Sequence, residues 1–116
     1  MKPIINYEGY DLYIEKDKYT TNGRIYLGLV TIDGELFDDI TINLPDKELN
    51  NHEICLNSNL QNDIKNKLYE TDVFINLSKE EQYNMGRYNI VQVNEALLKE
   101  YLYDNGKEVE NELWNC

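Results

Sequence analysis

His52 and Cys55 are the side chains of this 116-residue chain whose types could support nucleophilic or acid–base chemistry. His52 is the sole histidine and lies in the polar stretch Asn50-Asn51-His52-Glu53, which is typical of a surface turn. A histidine acts as a general base when a proton donor lies within hydrogen-bond reach, and the sequence pairs no serine with it. Cys55 follows Ile54 on an apolar segment, as a small buried hydrophobe does. The sequence therefore predicts structural roles for both residues.

Adjacent carboxylates could also form an acid–base pair, and the chain has two such pairs, Asp38/Asp39 and Glu80/Glu81. Neighbours on a strand point to opposite faces, however, so the two members of a pair are poorly placed to share one substrate. There is no CxxC or Cys/His cluster of the kind that binds zinc, and no glycine-rich phosphate loop. We therefore predict no enzyme activity, no metal and no cofactor.

Charge is the first unusual feature, since 22 acidic and 11 basic residues give a net charge of −11. Residues 33–57 contain seven acids against Lys47, and residues 94–116 contain six acids against two lysines. Such a surface repels nucleic acid and attracts basic proteins. The alternative is that the acidity serves solubility alone.

Ten tyrosines, against two phenylalanines and one tryptophan, are the second unusual feature. Tyrosine suits strand faces, and it is enriched at protein interfaces because it gives a large contact area at low entropy cost. Tyr13 and Tyr26 alternate with Leu12 and Leu27. We therefore expect both rings to be exposed together on the polar face of one sheet.

The elements that must position these residues begin with an antiparallel meander of three strands from about Tyr10 to Leu44. Tyr10 to Glu15 alternate between apolar and polar residues, and Asn22-Gly23 is a strong hairpin signal. The next strand, Arg24 to Ile32, ends at a second hairpin signal, Asp33-Gly34. The third strand then runs towards Asn43, with an interruption at Asp38-Asp39 that could mark a bulge.

The second half of the chain alternates between strand and helix patterns. Short strands are predicted at 53–57 and 87–93, with a further short alternation of Val73, Ile75 and Leu77. Helices are predicted near 59–70, from a Ser58/Gln61 capping box, and near 95–103, capped by Asn94 and ended by Asn105-Gly106. A second capping pattern, at 78–81, predicts one helical turn. We expect Leu60, Ile64 and Leu68 of the first helix and Ala96, Leu97, Tyr101 and Leu102 of the second to be buried.

These elements together predict one α+β domain over residues 1–106, with a polar tail over 107–116. Its antiparallel sheet combines the meander with the later strands, and both helices pack on one face of that sheet. No apolar stretch approaches the roughly 20 residues of a membrane-spanning helix. The first residues lack the apolar region of a signal peptide, so we expect a cytoplasmic protein that does not bind membranes.

A resemblance to an uncharacterised family of small acidic proteins rests on three segments: Asn22-Gly23-Arg24-Ile25-Tyr26-Leu27, Asp33-Gly34-Glu35, and Thr41-Ile42-Asn43-Leu44-Pro45-Asp46. Gly86-Arg87-Tyr88 followed by Leu97-Leu98 adds to it, so that the resemblance covers roughly residues 7–103. Members of that family occur on plasmids, conjugative elements and prophages of Firmicutes. The resemblance implies a shared fold and no catalytic residue.

Small acidic proteins of mobile elements are often antagonists of host defence, such as anti-CRISPR proteins. A defence nuclease holds nucleic acid in a basic groove, which a compact acidic protein could occupy as a mimic. We therefore predict a non-catalytic inhibitor whose partner is a basic nucleic-acid-binding protein such as a CRISPR effector, with no direct binding to nucleic acid. The alternative is an accessory protein of conjugation or maintenance that binds another protein of the element. The predicted partner-binding residues are Tyr13, Tyr26, Asp33, Glu35, Asp38, Asp39, Asp46 and Glu48.

Overall fold

The computed structural model describes residues 2–20, 23–44, 49, 52–83 and 86–103. Within these ranges the chain forms two four-stranded antiparallel sheets and two helices, which confirms the α+β class. The strands are β1 (Ile5–Tyr7), β2 (Tyr10–Lys18), β3 (Ile25–Val30), β4 (Leu36–Asp39), β5 (Thr41–Ile42), β6 (Glu53–Leu56), β7 (Phe74–Tyr83) and β8 (Gly86–Val93). The helices are α1 (Asn62–Glu70) and α2 (Glu95–Tyr101).

The first sheet, sheet 1, has the strand order β1-β2-β3-β4 and contains the predicted meander. β2 and β3 pair from Tyr13 opposite Val30 to Lys18 opposite Ile25. The turn between β3 and β4 is closed by a hydrogen bond of 2.9 Å from the Thr31 N–H to the Glu35 carbonyl. Gly34 has φ +83° in this turn, a value that glycine adopts without steric cost.

The third strand of the meander does not continue to Asn43, because the chain changes sheets at Ile40. β4 ends at Asp39, and β5 joins the second sheet. The Ile40 N–H donates to the Leu27 carbonyl at 2.9 Å, and its own carbonyl accepts from the Asn57 N–H at 2.9 Å. Ile40 is thus hydrogen-bonded to both sheets. The register also shifts just before it, leaving Phe37 as an extra residue between Leu36 and Asp38.

The second sheet, sheet 2, has the order β5-β6-β8-β7 and contains the predicted strands at 53–57 and 87–93. The predicted helical turn at 78–81 is wrong, since these residues lie in β7. Lys79 lies opposite Ile90 and Glu81 opposite Tyr88, so pairing with β8 overrides the local capping pattern. A register shift between Asn76 and Lys79 also breaks the predicted alternation, and Ile75 is exposed.

Helix α1 begins later than its predicted capping box requires. Its N-cap residue is Gln61, which makes no side-chain capping bond. Upstream of it, the Asn57 side chain accepts a hydrogen bond of 3.1 Å from the Asn59 N–H, which forms a turn in place of the first helical residues. The apolar stripe was predicted correctly, because Leu60, Ile64 and Leu68 are all buried.

Helix α2 is capped as predicted, since the Asn94 side chain accepts a hydrogen bond from the Leu97 N–H at 3.3 Å. The predicted burial is only partly correct, because Leu102 is buried, Leu97 and Tyr101 are half-buried and Ala96 is exposed. Leu98, which was not predicted, is fully buried. The helix ends at Tyr101. The predicted stop signal at Asn105-Gly106 and the tail 107–116 lie outside the described residues.

One main core joins both sheets and both helices. Its buried side chains include Leu12 and Leu29 from sheet 1, Ile54 and Val91 from sheet 2, and Leu98 from α2. Ile64 and Leu68 of α1 reach the same cluster. The inner face of sheet 1 is therefore covered by apolar contacts. The outer face carries polar side chains over part of its area, together with the buried Tyr13 and Val30.

Candidate protein-binding site

The outer face of sheet 1 gathers carboxylates from β2, β4 and the turn between β3 and β4. Glu15 pairs with Gly28, which pairs in turn with Asp39, so Glu15 and Asp39 share one face across the sheet. Asp11 and Asp17 have the same orientation as Glu15 along β2, because they lie an even number of residues away. We call this surface the acidic face and define it by Asp11, Glu15, Asp17, Asp33, Glu35 and Asp39.

No described basic side chain lies at ion-pair distance from a carboxylate of the acidic face. Lys16 alternates with Glu15 and Asp17 along β2 and so points to the other side of the sheet. Elsewhere, carboxylates are paired with bases, in Lys2–Glu100 at 3.4 Å, Lys79–Glu53 at 3.1 Å and Arg87–Glu80 at 3.8 Å. The negative charge of the acidic face is therefore not neutralised within the described part of the chain.

Tyr26 is held on the acidic face by its hydroxyl, which donates to Asp39 Oδ1 at 2.7 Å. Its ring lies over Gly28, where a Cβ would collide with the Tyr26 hydroxyl, and it packs edge-to-face on Tyr19 with the ring centroids 5.6 Å apart. Burial raises the pKa of Tyr26 well above its ordinary value, and the bond to Asp39 adds to this rise. Tyr26 and Asp39, which were both predicted to bind a partner, therefore form a fixed pair on one surface.

Glu15 lies beside this pair in the middle of the acidic face. Burial raises the pKa of its carboxyl, and the nearby charge of Asp17 raises it further. Both effects disfavour the charged form of the carboxyl, and the smaller one is repulsion between neighbouring acids of the acidic face.

Tyr13 was predicted to be exposed beside Tyr26, and this prediction is wrong. Tyr13 is only 7% exposed, and the ring of Tyr103 packs edge-to-face on it with the centroids 6.2 Å apart. The chain beyond α2 returns to β2, where the Tyr103 N–H donates to the Ile14 carbonyl at 2.7 Å. Tyr26 lies opposite Asp17, four residues further along β2, so about 13 Å separates it from Tyr13.

A cleft of about 320 Å³ lies at one end of the acidic face, where the turn before β2 meets the turn after β3. We call it the tip cleft; Tyr10, Asp11, Tyr13, Ile32, Asp33 and Glu35 line it. Tyr10 is 58% exposed and Ile32 is 53% exposed, and Leu36 is 59% exposed at the start of β4. The sequence analysis missed Asp11, Tyr10 and Ile32 as site residues.

Of the predicted partner-binding acids, the structure brings Asp33 and Glu35 together at the tip cleft. Asp39 lies further along the acidic face. Asp38 pairs with Leu29, whose side chain is in the core, so Asp38 points away from Asp39 to the other side of the sheet. Asp46 and Glu48 lie outside the described residues.

A second, more open cleft of about 470 Å³ contains His52. The His52 Nε2 lies 3.5 Å from Glu95 Oε2, with Gln92, Lys99 and the exposed Ile75 around it. The described residues that line this cleft include no hydroxyl or thiol that an imidazole could activate. Cys55 is buried elsewhere, and burial raises the pKa of its thiol to about 11, which keeps it protonated near neutral pH.

The described part of the chain contains no group of three or more His, Cys, Asp or Glu side chains arranged to hold a metal ion. None of its helices is long and apolar enough to cross a bilayer. The predictions that the protein is not an enzyme and binds no cofactor stay predictions.

Comparison with known proteins finds no matching family model, no similar curated protein and no similar solved structure. The family resemblance of the three sequence segments therefore stays a prediction. The acidic face and the tip cleft are therefore the features that indicate what the chain binds.

Proposed function

We propose that this protein is a non-catalytic inhibitor that binds a basic, nucleic-acid-binding protein through the acidic face of sheet 1. The observation that supports this proposal is the set of carboxylates on one sheet face with no described base at ion-pair distance. Carboxylates that served solubility alone would gain from being interspersed with lysine and arginine. Here the bases of β2 point to the opposite side of the sheet.

The exposed apolar side chains at the end of this face favour a protein partner over dissolved cations. Tyr10, Ile32 and Leu36 offer contact area directly beside Asp33 and Glu35. Charged groups mainly direct the encounter between proteins, whereas buried aromatic and apolar contacts slow their separation. The carboxylates of the acidic face could direct the encounter, and the exposed side chains of Tyr10, Ile32 and Leu36 could provide the apolar contacts.

A nucleic-acid-binding protein is the class of partner that such a face fits, because its groove is lined with lysine and arginine that otherwise bind phosphates. The resemblance to small acidic proteins of Firmicutes mobile elements makes CRISPR effectors the first members of this class to test. In this proposal the acidic face occupies the groove for guide or target nucleic acid and thereby competes with it.

The test measures the association rate with CRISPR effectors of Firmicutes, both guide-free and guide-loaded, together with inhibition of target cleavage. The test variant reverses Asp11, Asp17, Asp33 and Glu35 to lysine. Asp39 is left intact because it accepts the hydrogen bond from Tyr26, and Asp38 because it points to the other side of the sheet. At low salt the variant should associate roughly 10- to 100-fold more slowly than the wild type.

The matched control reverses four exposed acids outside the acidic face, namely Asp63, Glu70, Glu80 and Glu100, and so changes the net charge equally. We expect it to keep most of the wild-type rate. Equal slowing in both variants would show that only net charge matters. A wild-type rate without salt dependence would contradict the proposal altogether, and binding to a relaxase instead of an effector would favour the accessory role.

A further inference from the structure

We propose that the tip cleft binds a single arginine side chain of the partner, as the anchor of the interface. This inference rests on the proposed function and deepens it, because it names the group that the site recognises. The acidic face would attract the basic partner over a distance, whereas the tip cleft would hold one of its arginine side chains once the two proteins are in contact.

The tip cleft is built on a fixed turn. The Thr31 side chain accepts a hydrogen bond of 3.3 Å from the Glu35 N–H, and the Gly34 N–H donates to the Thr31 carbonyl at 2.9 Å. Tyr103 also holds the turn in place, since its hydroxyl donates to the Ile32 carbonyl at 3.1 Å. The backbone positions of Asp33 and Glu35 are therefore set before a partner arrives, which lowers the entropy cost of binding.

The chemistry of the lining fits a cation that is flat and partly apolar. Asp11, Asp33 and Glu35 provide carboxylates on the rim, and none of them has a described basic partner. Tyr10 provides an exposed aromatic ring, and Tyr13 also lines the cleft but is almost fully buried. A guanidinium binds carboxylates through two parallel hydrogen bonds and also stacks on aromatic rings, whereas an ammonium is a compact and strongly hydrated charge.

The size of the tip cleft supports one side chain as its occupant. A volume of about 320 Å³ lies at the small end of the range of ligand pockets, which begins at roughly 300 Å³. The exposed Ile32 beside it can cover the methylene stem of an arginine. A basic protein groove would present such side chains at its surface.

The experiment titrates the full-length protein with the peptide acetyl-Gly-Arg-Gly-amide and follows the backbone amides by NMR. Two matched peptides replace arginine with lysine or with citrulline, which has the shape of arginine without its charge. Arginine should shift the amides of Gly9–Tyr13 and Thr31–Glu35, lysine should shift them less, and citrulline should leave them in place. Tyr10→Leu and Asp33→Asn should each weaken arginine binding about tenfold, while Glu80→Gln on sheet 2 should not.

Shifts spread evenly over all acidic residues, or equal shifts with citrulline, would overturn the inference. It would also be overturned if no peptide moved these amides while reversal of the acidic face still slowed association with an effector; the proposed function would then stand without the anchor. If arginine binds the tip cleft but reversal does not slow association with any effector, the anchor stands and the proposed class of partner is wrong.

Discussion

At the residue scale, the ring of Tyr26 shows how a strand can hold an aromatic side chain flat on an exposed face. Gly28 leaves the space that the ring occupies, and Asp39 accepts the hydrogen bond that fixes its hydroxyl. Glycine weakens a strand by roughly 0.5–1 kcal/mol relative to alanine. The packing of Tyr26 therefore offsets the cost of having Gly28 in the middle of β3. The position of the Tyr26 ring in turn depends on Gly28.

Replacing Gly28 with alanine tests this dependence. The new Cβ would displace the Tyr26 hydroxyl and break its bond to Asp39, while the better strand propensity of alanine would compensate for most of the lost free energy. We expect the free energy of unfolding to change by less than about 1 kcal/mol. The pKa of Tyr26 should fall towards its ordinary value, which NMR titration of ¹³C-labelled tyrosine would measure. An unchanged Tyr26 pKa would show that Gly28 does not position the ring.

Replacing Glu15 with glutamine tests the cost of holding a partly buried, charged carboxylate on the acidic face. The Glu15 pKa is raised in the folded protein above its ordinary value of 4.5, so the folded state binds its proton more tightly than the unfolded state does. Glu15 therefore stabilises the fold most at low pH, and that contribution is lost as the pH rises from about 4.5 through the raised pKa.

We consequently expect Glu15→Gln to raise the melting temperature at pH 7 and to change it little at a pH of about 3.5. The gain should be small, below about 1 kcal/mol, because Glu15 is only partly buried and solvent still screens its charge. Thermal unfolding followed by circular dichroism at both pH values checks this. Destabilisation at pH 7 would mean that Glu15 makes a favourable contact in the folded state.

At the element scale, helix α2 sets where the chain returns to sheet 1. Asn94 caps the helix, Leu98 anchors it in the core, and the residues after it bring Tyr103 onto Tyr13. The tip cleft therefore depends on an element distant from it in sequence.

Removing the α2 cap should lower the stability of the fold and loosen the support of the tip cleft. Asn94→Ala should lower the free energy of unfolding by about 1 kcal/mol, whereas Asn94→Asp should keep most of it, because aspartate is an equally good cap. Urea denaturation measures the loss, and hydrogen exchange of the Tyr103 amide reports on its bond to Ile14. A loss in Asn94→Asp as large as in Asn94→Ala would show that the cap is not the cause.

The meander was predictable from sequence because its signals are local. Asp33-Gly34 closes a hairpin, and Ile25, Leu27 and Leu29 recur at every second position of β3, as one strand face requires. The division into two sheets was not predictable, because it depends on Ile40 bonding to Leu27 in one sheet and Asn57 in the other. The local alternation of apolar and polar residues does not indicate which distant residues a strand will pair with.

The site was predictable only in part for the same reason. Asp33 and Glu35 follow from the position of the turn, whereas the hydrogen bond between Tyr26 and Asp39 was not predicted, although both residues were. The burial of Tyr13 was not predictable either, since it is caused by Tyr103, 90 residues later in the chain. The helical turn predicted from Ser78 failed similarly, because pairing between β7 and β8 decided the conformation of that segment.

At the scale of the whole molecule, the net charge of −11 and its uneven placement should make the stability of the protein depend on salt. Carboxylates without a nearby base repel one another, and this repulsion weakens as salt shortens the screening length, which is about 10 Å at 0.1 M. The fold should therefore become more stable as salt is added. Ion pairs such as Lys79–Glu53 act in the opposite direction, since screening weakens them.

The last prediction locates this salt dependence on the acidic face. Neutralising Asp11, Asp17, Asp33 and Glu35 to asparagine and glutamine should raise the melting temperature at low salt and reduce its rise with salt. Neutralising Asp63, Glu70, Glu80 and Glu100 changes the net charge equally but removes the partners of Arg87 and Lys2, so we expect a smaller gain or a loss. Calorimetry of both variants and the wild type at roughly 20 and 300 mM salt makes the comparison. Identical salt dependence in the two variants would mean that the repulsion is spread over the whole surface. The stability of the free protein would then give no support to an acidic face that is specialised for a positively charged partner.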